Sequence, residues 1–248
     1  MKTTFITGAT SGIGRACAER FAKEGYNLII NGRKEQLLND LKAELEAKYY
    51  ISVTPLVFDV RDRDAYSLFP LKGKGEIDVL INNAGLALGL DKQQDGSLDD
   101  YETMIDTNIK GLLYVTKAIV PSMIARGKGH IINIGSVAGD AAYPNGSVYC
   151  ATKAAVKALS DGLRMDLVDT PIRVTNIKPG LVETNFSVTR FYGDKDRADA
   201  VYKGIQPLTA DDIADVVYYA ASAPEHVQIA EVLVLATHQA NCTVIYRE

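Results

Sequence analysis

The 248 residues predict an α/β fold, a single domain built on a doubly wound parallel sheet. Three observations carry that expectation. Strand-like and helix-like segments alternate from end to end, the pattern of βαβ units. A glycine-rich turn joins the first strand to the first helix. Residues 77–81 form a run that is apolar apart from Asp78, as expected of a strand covered on both faces.

The elements follow in order. Residues 3–6 are a short strand, and residues 12–24 a helix that Gly25 ends. Residues 27–31 are β-like. Residues 34–48 set Leu37, Leu38, Leu41 and Leu45 along one side of a helix. Residues 53–58 make the third strand, 62–69 a short helix and 77–81 the fourth strand. Two helices follow, 99–108 and 112–125, then a strand over 131–134 behind Gly127-Lys128-Gly129. A long helix spans 148–168, with Pro171 marking its end. Residues 173–177 form a strand stopped by Pro179-Gly180. Residues 211–222 are a helix and 232–235 the last strand. Residues 186–203 are polar, charged and without a clean period, the character of a mobile lid over a site at the strands' carboxyl ends.

Composition narrows the function. The length suits one sizeable core, and 47% hydrophobic with 23% charged residues is an ordinary globular balance. A net charge of −4 argues against nucleic acid or an anionic membrane surface as the main partner. Cys17, Cys150 and Cys242 are too few and scattered for a disulfide framework or a zinc site. His130, His226 and His238 lack partners at metal spacing, so no metal is expected. The start lacks a leader pattern, and no apolar run approaches the ~20 residues of a membrane span. A soluble, cytoplasmic protein with a small-molecule substrate is expected.

The turn after the first strand reads Thr7-Gly8-Ala9-Thr10-Ser11-Gly12-Ile13-Gly14. Gly8 allows a tight exit from the strand, Gly12 a close backbone approach to a pyrophosphate, and Gly14 close helix–strand packing. The helix N-terminus offers free N–H groups to the anion, and Thr10 and Ser11 could add hydroxyls. Alone, such a loop is also an ordinary tight turn. Its position in the first βα turn of a long series makes it a Rossmann-like dinucleotide site. The second strand ends Asn31-Gly32-Arg33-Lys34. An acid there would bond a ribose 2′-hydroxyl. Glycine and a guanidinium suit a 2′-phosphate, which favours NADP over NAD. The other reading of Arg33 is a solvated loop charge.

Tyr149 and Lys153 stand four residues apart at the start of the long helix, so they share a face. A lysine cation beside a phenol lowers the phenol's pKa toward a working acid/base. Ser136, after the strand at 131–134, could hold a substrate oxygen beside Tyr149. By itself a Tyr–Lys pair four residues apart reads as an amphipathic surface pair.

Together these motifs resemble the short-chain dehydrogenases/reductases over nearly the whole chain. The likeness rests on Thr7 to Gly14, Asp59-Val60, Asn82-Asn83-Ala84-Gly85, Asn108, Ser136, Tyr149, Lys153 and Pro179-Gly180 with Thr184. The resemblance implies Tyr149 as general acid/base, Lys153 on the nicotinamide ribose, Ser136 on the substrate and Asn108 beside the water that relays protons from Lys153. It implies Asp59 and Val60 at the adenine, and Asn82, Asn83, Ala84 and Gly85 along the adenosine ribose and bracing the sheet. Pro179, Gly180, Val182 and Thr184 would bind the nicotinamide carboxamide.

Within the family the chain is similar to the NADP-dependent 3-hydroxy acid dehydrogenases. Asn82 through Gly89, Glu102 through Asn108, Val188 through Asp194 and Thr237-His238-Gln239-Ala240 carry that likeness. It implies substrates such as serine, L-allo-threonine or 3-hydroxypropionate/malonic semialdehyde, and a homotetramer. A carboxylate needs a cation, and Arg190 in the lid is the candidate, ahead of Lys178, Lys195 and Arg197. Ser11 stands where some NADP enzymes of the family have a basic residue, which leaves dual cofactor use open. Other readings remain: a reductase of uncharged ketones or diketones, an oxoacyl-carrier-protein reductase, or an NADP-binding sensor or scaffold. The family's usual Asp-Gly-Gly near the C-terminus, replaced here by Leu235-Ala236-Thr237, weighs against the carrier-protein reading. Small residues Ala151, Ala155, Ala158 and Gly162, with Leu112, Val115, Ile119 and Met123, are the expected subunit-packing faces; packing inside the monomer is the alternative.

Overall fold

A computed structural model describes residues 1–65 and 76–248. The second half of the helix expected over 62–69 lies outside the described residues. Seven parallel strands form one sheet in the order β3-β2-β1-β4-β5-β6-β7. They are β1 (Thr3–Ile6), β2 (Asn27–Gly32), β3 (Val53–Val57), β4 (Val79–Asn82), β5 (His130–Ile134), β6 (Arg173–Pro179) and β7 (Glu231–Val234).

Both faces of the sheet are covered, and period-two alternation divides adjacent residues between two cores. Ile6, Ile30, Ile81 and Ile132 join one core. Their predecessors Phe5, Ile29, Leu80 and Ile131 join the other. The first core is closed by α1 (Gly12–Lys23), α2 (Glu35–Lys48) and α8 (Ala210–Ser222) through Phe21, Leu38 and Val217. On α2, Leu38, Leu41 and Leu45 are buried, but Leu37 faces outward. The second core takes Val115, Ile119 and Met123 from α4 (Leu112–Arg126). With Leu112 also buried, the apolar side of α4 expected at a subunit surface is spent inside the monomer. On α5 (Ser147–Asp166), Ala151 and Ala158 are exposed, Ala155 and Gly162 half-buried.

Two segments depart from the sequence reading. The helices expected at 99–108 and 112–125 are continuous: α3 (Leu98–Ile105) runs through a π-helical stretch, Asp106–Gly111, into α4. Residues 186–203 contain two short helices, α6 (Asn185–Arg190) and α7 (Lys195–Ala200). Thr184 and Asp194 cap them by accepting from the Phe186 and Arg197 N–H groups. Six residues are too few for an apolar period to show. Among the described residues no helix is long and apolar enough to cross a membrane.

Candidate active site

The strand order reverses between β1 and β4, so the loops leaving these two strands diverge and open a crevice at their carboxyl ends. A cavity of about 550 Å³ lies there, within the usual range for a small-molecule site.

Its floor at one end is the glycine loop. Gly8 and Gly12 adopt φ of +65° and +52°, values open to glycine at little cost. A Cβ on Gly14 would stand 2.3 Å from the Gly8 carbonyl oxygen. Gly14 therefore locks α1 to the strand exit from behind the wall, while Thr10, Ser11, Gly12 and Ile13 line the cavity. Asn83 stitches the loop to β4, its Nδ2 donating to the carbonyls of Thr7 at 2.9 Å and Gly8 at 3.1 Å. The Thr7 hydroxyl accepts from the N–H groups of Asn83 and Ala84. Ser11 precedes α1 without a side-chain cap, so its hydroxyl leaves the first N–H groups of the helix open to an anion.

The strand β2 brings Gly32 and Arg33 to the same wall. A Cβ on Gly32 would meet the Thr10 methyl at 2.9 Å, so an acidic side chain here would collide with the loop. Arg33 is two-thirds exposed and reaches only to 4.0 Å from Asp59. Asp59 is held instead by Arg61 at 2.8 Å. Burial pushes the Asp59 carboxyl up, but the Arg61 and Arg33 guanidiniums outweigh it and keep the group below its ordinary value. Glycine cradle, free helix end, loosely held guanidinium and absent acid together fit a dinucleotide with an additional phosphate. Asp59, Val60, Asn83, Ala84 and Gly85 line the cavity. Asn82 does not. It is buried in the sheet, where its Nδ2 donates to Thr116 and Asn133, and it braces without facing the cavity.

The other end gathers Ser136, Tyr149 and Lys153. Ser136 follows β5 and opens a one-turn 3-10 helix (Val137–Gly139), its Oγ accepting from Ala138 N at 3.1 Å. Lys153 is buried and its Nζ donates to the Ile134 carbonyl at 2.8 Å. Asn108 sits in the π stretch, turned out of the regular helix ladder. It accepts from Leu86 N and donates to Leu86 O and Thr152 Oγ1. It thus ties the loop after β4 to α5 beneath the cavity.

Electrostatics correct one expectation. The Tyr149 phenol stands above its ordinary pKa, not below it. Burial is the largest cause and the nearby Tyr143 adds to it, while the Ser136 hydroxyl and Arg190 pull the other way. Lys153 is itself pushed down to about 8 by burial. Its Nζ lies 5.9 Å from the centre of the Tyr149 ring.

Arg190, at the end of α6, brings a second cation to the same phenol, its guanidinium 5.7 Å from the Tyr149 ring centre. Nε donates to Gly89 O at 3.0 Å and Nη1 to the Tyr143 hydroxyl at 2.9 Å. The rival cations are occupied elsewhere: Lys178 by Asp140 and Glu231, Lys195 by Asp199, and Arg197 over the Phe191 ring. Pro179, Gly180, Val182 and Thr184 line the wall between the two ends. Gln239 Oε1 accepts from Leu181 N at 2.9 Å and so props this loop from the C-terminal segment. Tyr143, Gly89 and the bracing by Gln239 escaped the sequence reading. Tyr143 lies in an irregular loop, and Gly89 and Gln239 stood only inside longer motifs.

These features define a dinucleotide-dependent oxidoreductase, and the chain belongs to the short-chain dehydrogenase family, whose model matches residues 2–194. An NADP-dependent 3-hydroxy acid dehydrogenase of Schizosaccharomyces pombe is 46% identical, across 100% of this chain and 97% of that one. Sulfoacetaldehyde reductase 2 of Chromohalobacter salexigens is 45% identical, across 95% and 94%. The closed form of a serine dehydrogenase complexed with NADP+ superposes with a TM-score of 0.91 at 42% identity, covering 99% of this chain and 100% of that one.

Proposed function

We propose that the protein interconverts the C3 hydroxyl and carbonyl of a small 3-hydroxy acid, such as serine, L-allo-threonine or 3-hydroxypropionate, with NADP. The observation that carries the reading is Arg190, a guanidinium with donors to spare standing over the ring of Tyr149. The similarity to enzymes named for 3-hydroxy acids and for sulfoacetaldehyde supports it, since both substrate classes are small organic anions.

In this reading the glycine loop and the N-terminus of α1 hold the pyrophosphate, Arg33 the 2′-phosphate, and the Pro179–Thr184 wall the nicotinamide. When bound, the nicotinamide supplies or accepts the hydride. Tyr149 Oη gives its proton to the carbonyl oxygen on reduction and takes it from the hydroxyl on oxidation. Ser136 Oγ donates to the same oxygen and fixes its position. A phenol held neutral by burial is ready to donate, which suits the reductive direction. Lys153 binds the nicotinamide ribose and refills the phenol. Asn108, tied to Leu86 and Thr152, supports the water through which Lys153 relays those protons. Arg190 pairs with the substrate carboxylate, and residues 186–203 act as the lid that carries it. The outward small-residue face of α5, Ala151 and Ala158, serves the packing of a homotetramer.

Two measurements test this. Arg190→Ala raises KM for 3-hydroxy acids by roughly a hundredfold, the cost of leaving a carboxylate unpaired. It changes turnover of an uncharged alcohol little. An unchanged KM for the acids would remove Arg190 from the substrate. Arg33→Ala weakens NADPH binding by about tenfold, the worth of one charge-assisted contact, and leaves NADH binding as it was. Equal weakening of both would mean that Arg33 does not read the 2′-phosphate.

A further inference from the structure

Beneath the reaction end of the cavity, the face of the sheet toward α5 carries a row of polar side chains. Asn82, Asn133 and Asn176 are register partners on β4, β5 and β6, and Asn176 pairs in turn with Glu231 on β7. Asn133 Nδ2 donates to Ser160 Oγ on α5, and Asn176 Nδ2 to Glu231 Oε2. Two residues beyond Asn176, on the same face, stands Lys178.

The Lys178 side chain is only 6% exposed, yet it carries a cation. It donates to both oxygens of Asp140, at 2.9 and 2.8 Å, and pairs with Glu231 at 2.5 Å. Burial alone would push this ammonium down, but the two carboxylates outweigh it and push it up, so it stays charged. A cation buried this way is a poor source of stability, because desolvation cancels much of the attraction. Its effect lies in what it holds.

Asp140 is the residue that ends the 3-10 turn opened by Ser136. Its N–H donates to Val137 O at 3.1 Å, and Gly139 N–H to Ser136 O at 3.0 Å. The same turn packs on α5, where a Cβ on Gly139 would stand 2.7 Å from the Lys153 carbonyl oxygen. The turn is therefore held at two places, by the Lys178 ammonium through Asp140 and by the backbone of Lys153.

We propose that Lys178 is a positioning residue for the reaction: through Asp140 it presses the Ser136 turn against α5 and so sets the spacing between the Ser136 hydroxyl and the Tyr149 phenol. This rests on the roles given above to Ser136 and Tyr149. It predicts a loss confined to the chemical step, because substrate carboxylate and dinucleotide are held by other residues.

The test uses the full-length protein carrying Asp140→Asn, Lys178→Met, both together, and Ser136→Ala, with kcat counted per NADPH-binding site. Asp140 lies at the surface, so its variant carries the test if Lys178→Met fails to fold. Asp140→Asn and Lys178→Met are each expected to lose about tenfold or more in kcat, the scale of a small misplacement of reacting groups. KM and the NADPH Kd stay within about twofold, since nothing that binds has been removed. The double variant is no worse than the worse single, because both break one contact. The pH at which oxidation reaches half its maximum moves upward, since the phenol loses the hydroxyl that pulls its pKa down. Turnover near wild type in Asp140→Asn with an unmoved pH profile, or losses that multiply in the double variant, would overturn the proposal. Full activity in Ser136→Ala would instead overturn the role of Ser136 itself.

Discussion

Tyr149→Phe is expected to lower kcat about a thousandfold or more in either direction, within the range contributed by one placed acid/base. The substitution removes one oxygen and keeps the ring. That ring packs against Phe186 with centres 5.6 Å apart and belongs to a small cluster with Ala87, Met104, Ala138 and Cys150. The packing survives, so the fold and the dinucleotide site should be unaffected. Among the groups at the reaction end, the Ser136 hydroxyl is a far weaker acid than a phenol, Lys153 Nζ is engaged with the Ile134 carbonyl, and the Tyr143 hydroxyl is engaged with Arg190. None of them is placed to substitute. NADPH binding by fluorescence titration should therefore stay within about twofold while turnover collapses. Retention of a tenth or more of the wild-type kcat would remove Tyr149 from the proton step.

The sequence shows some parts of this site far better than others, for physical reasons. Apolar alternation on β1, β2, β4 and β5 is strong because both faces are buried, and the strands fall within two residues of their expected bounds. The glycine loop is visible because Gly8, Gly12 and Gly14 each answer a steric demand no other residue meets cheaply. The π stretch that carries Asn108 leaves no periodic trace, since one shifted hydrogen-bond register changes no residue's polarity. Helices α6 and α7 are stabilised by caps and by contacts with distant segments such as Gly89, which a local pattern cannot contain. Lys178 read as a possible substrate cation because its partners, Asp140 and Glu231, are 38 residues before it and on a neighbouring strand. The direction in which the Tyr149 pKa moves is hidden in the sequence for the same reason. Spacing reveals that Lys153 shares its helix face, but not how deeply the phenol is buried.

Lys153→Met should separate function from stability. Turnover is expected to fall about a hundredfold or more, since the proton supply to Tyr149 and a hold on the ribose both go. Stability should not fall in step. Burial moves the Lys153 pKa from 10.5 to about 8, so carrying the charge costs the native state about 3 kcal/mol at neutral pH. Methionine escapes that cost. It also leaves the Ile134 carbonyl without its donor, which costs about 1–3 kcal/mol, so the two proteins should unfold within about 2 kcal/mol of each other at pH 7. Their pH dependence should differ more clearly. Between the folded and unfolded values of Lys153 the unfolded wild-type chain binds more protons than the native one, so wild-type stability rises with pH in that window. The variant lacks this gain. Urea unfolding at pH 7 and pH 10 should show the wild type improving relative to the variant by about 2 kcal/mol. Parallel behaviour at the two pH values would mean that the native protein carries the Lys153 ammonium without penalty, and that the contact with Ile134 fully replaces the water it lost.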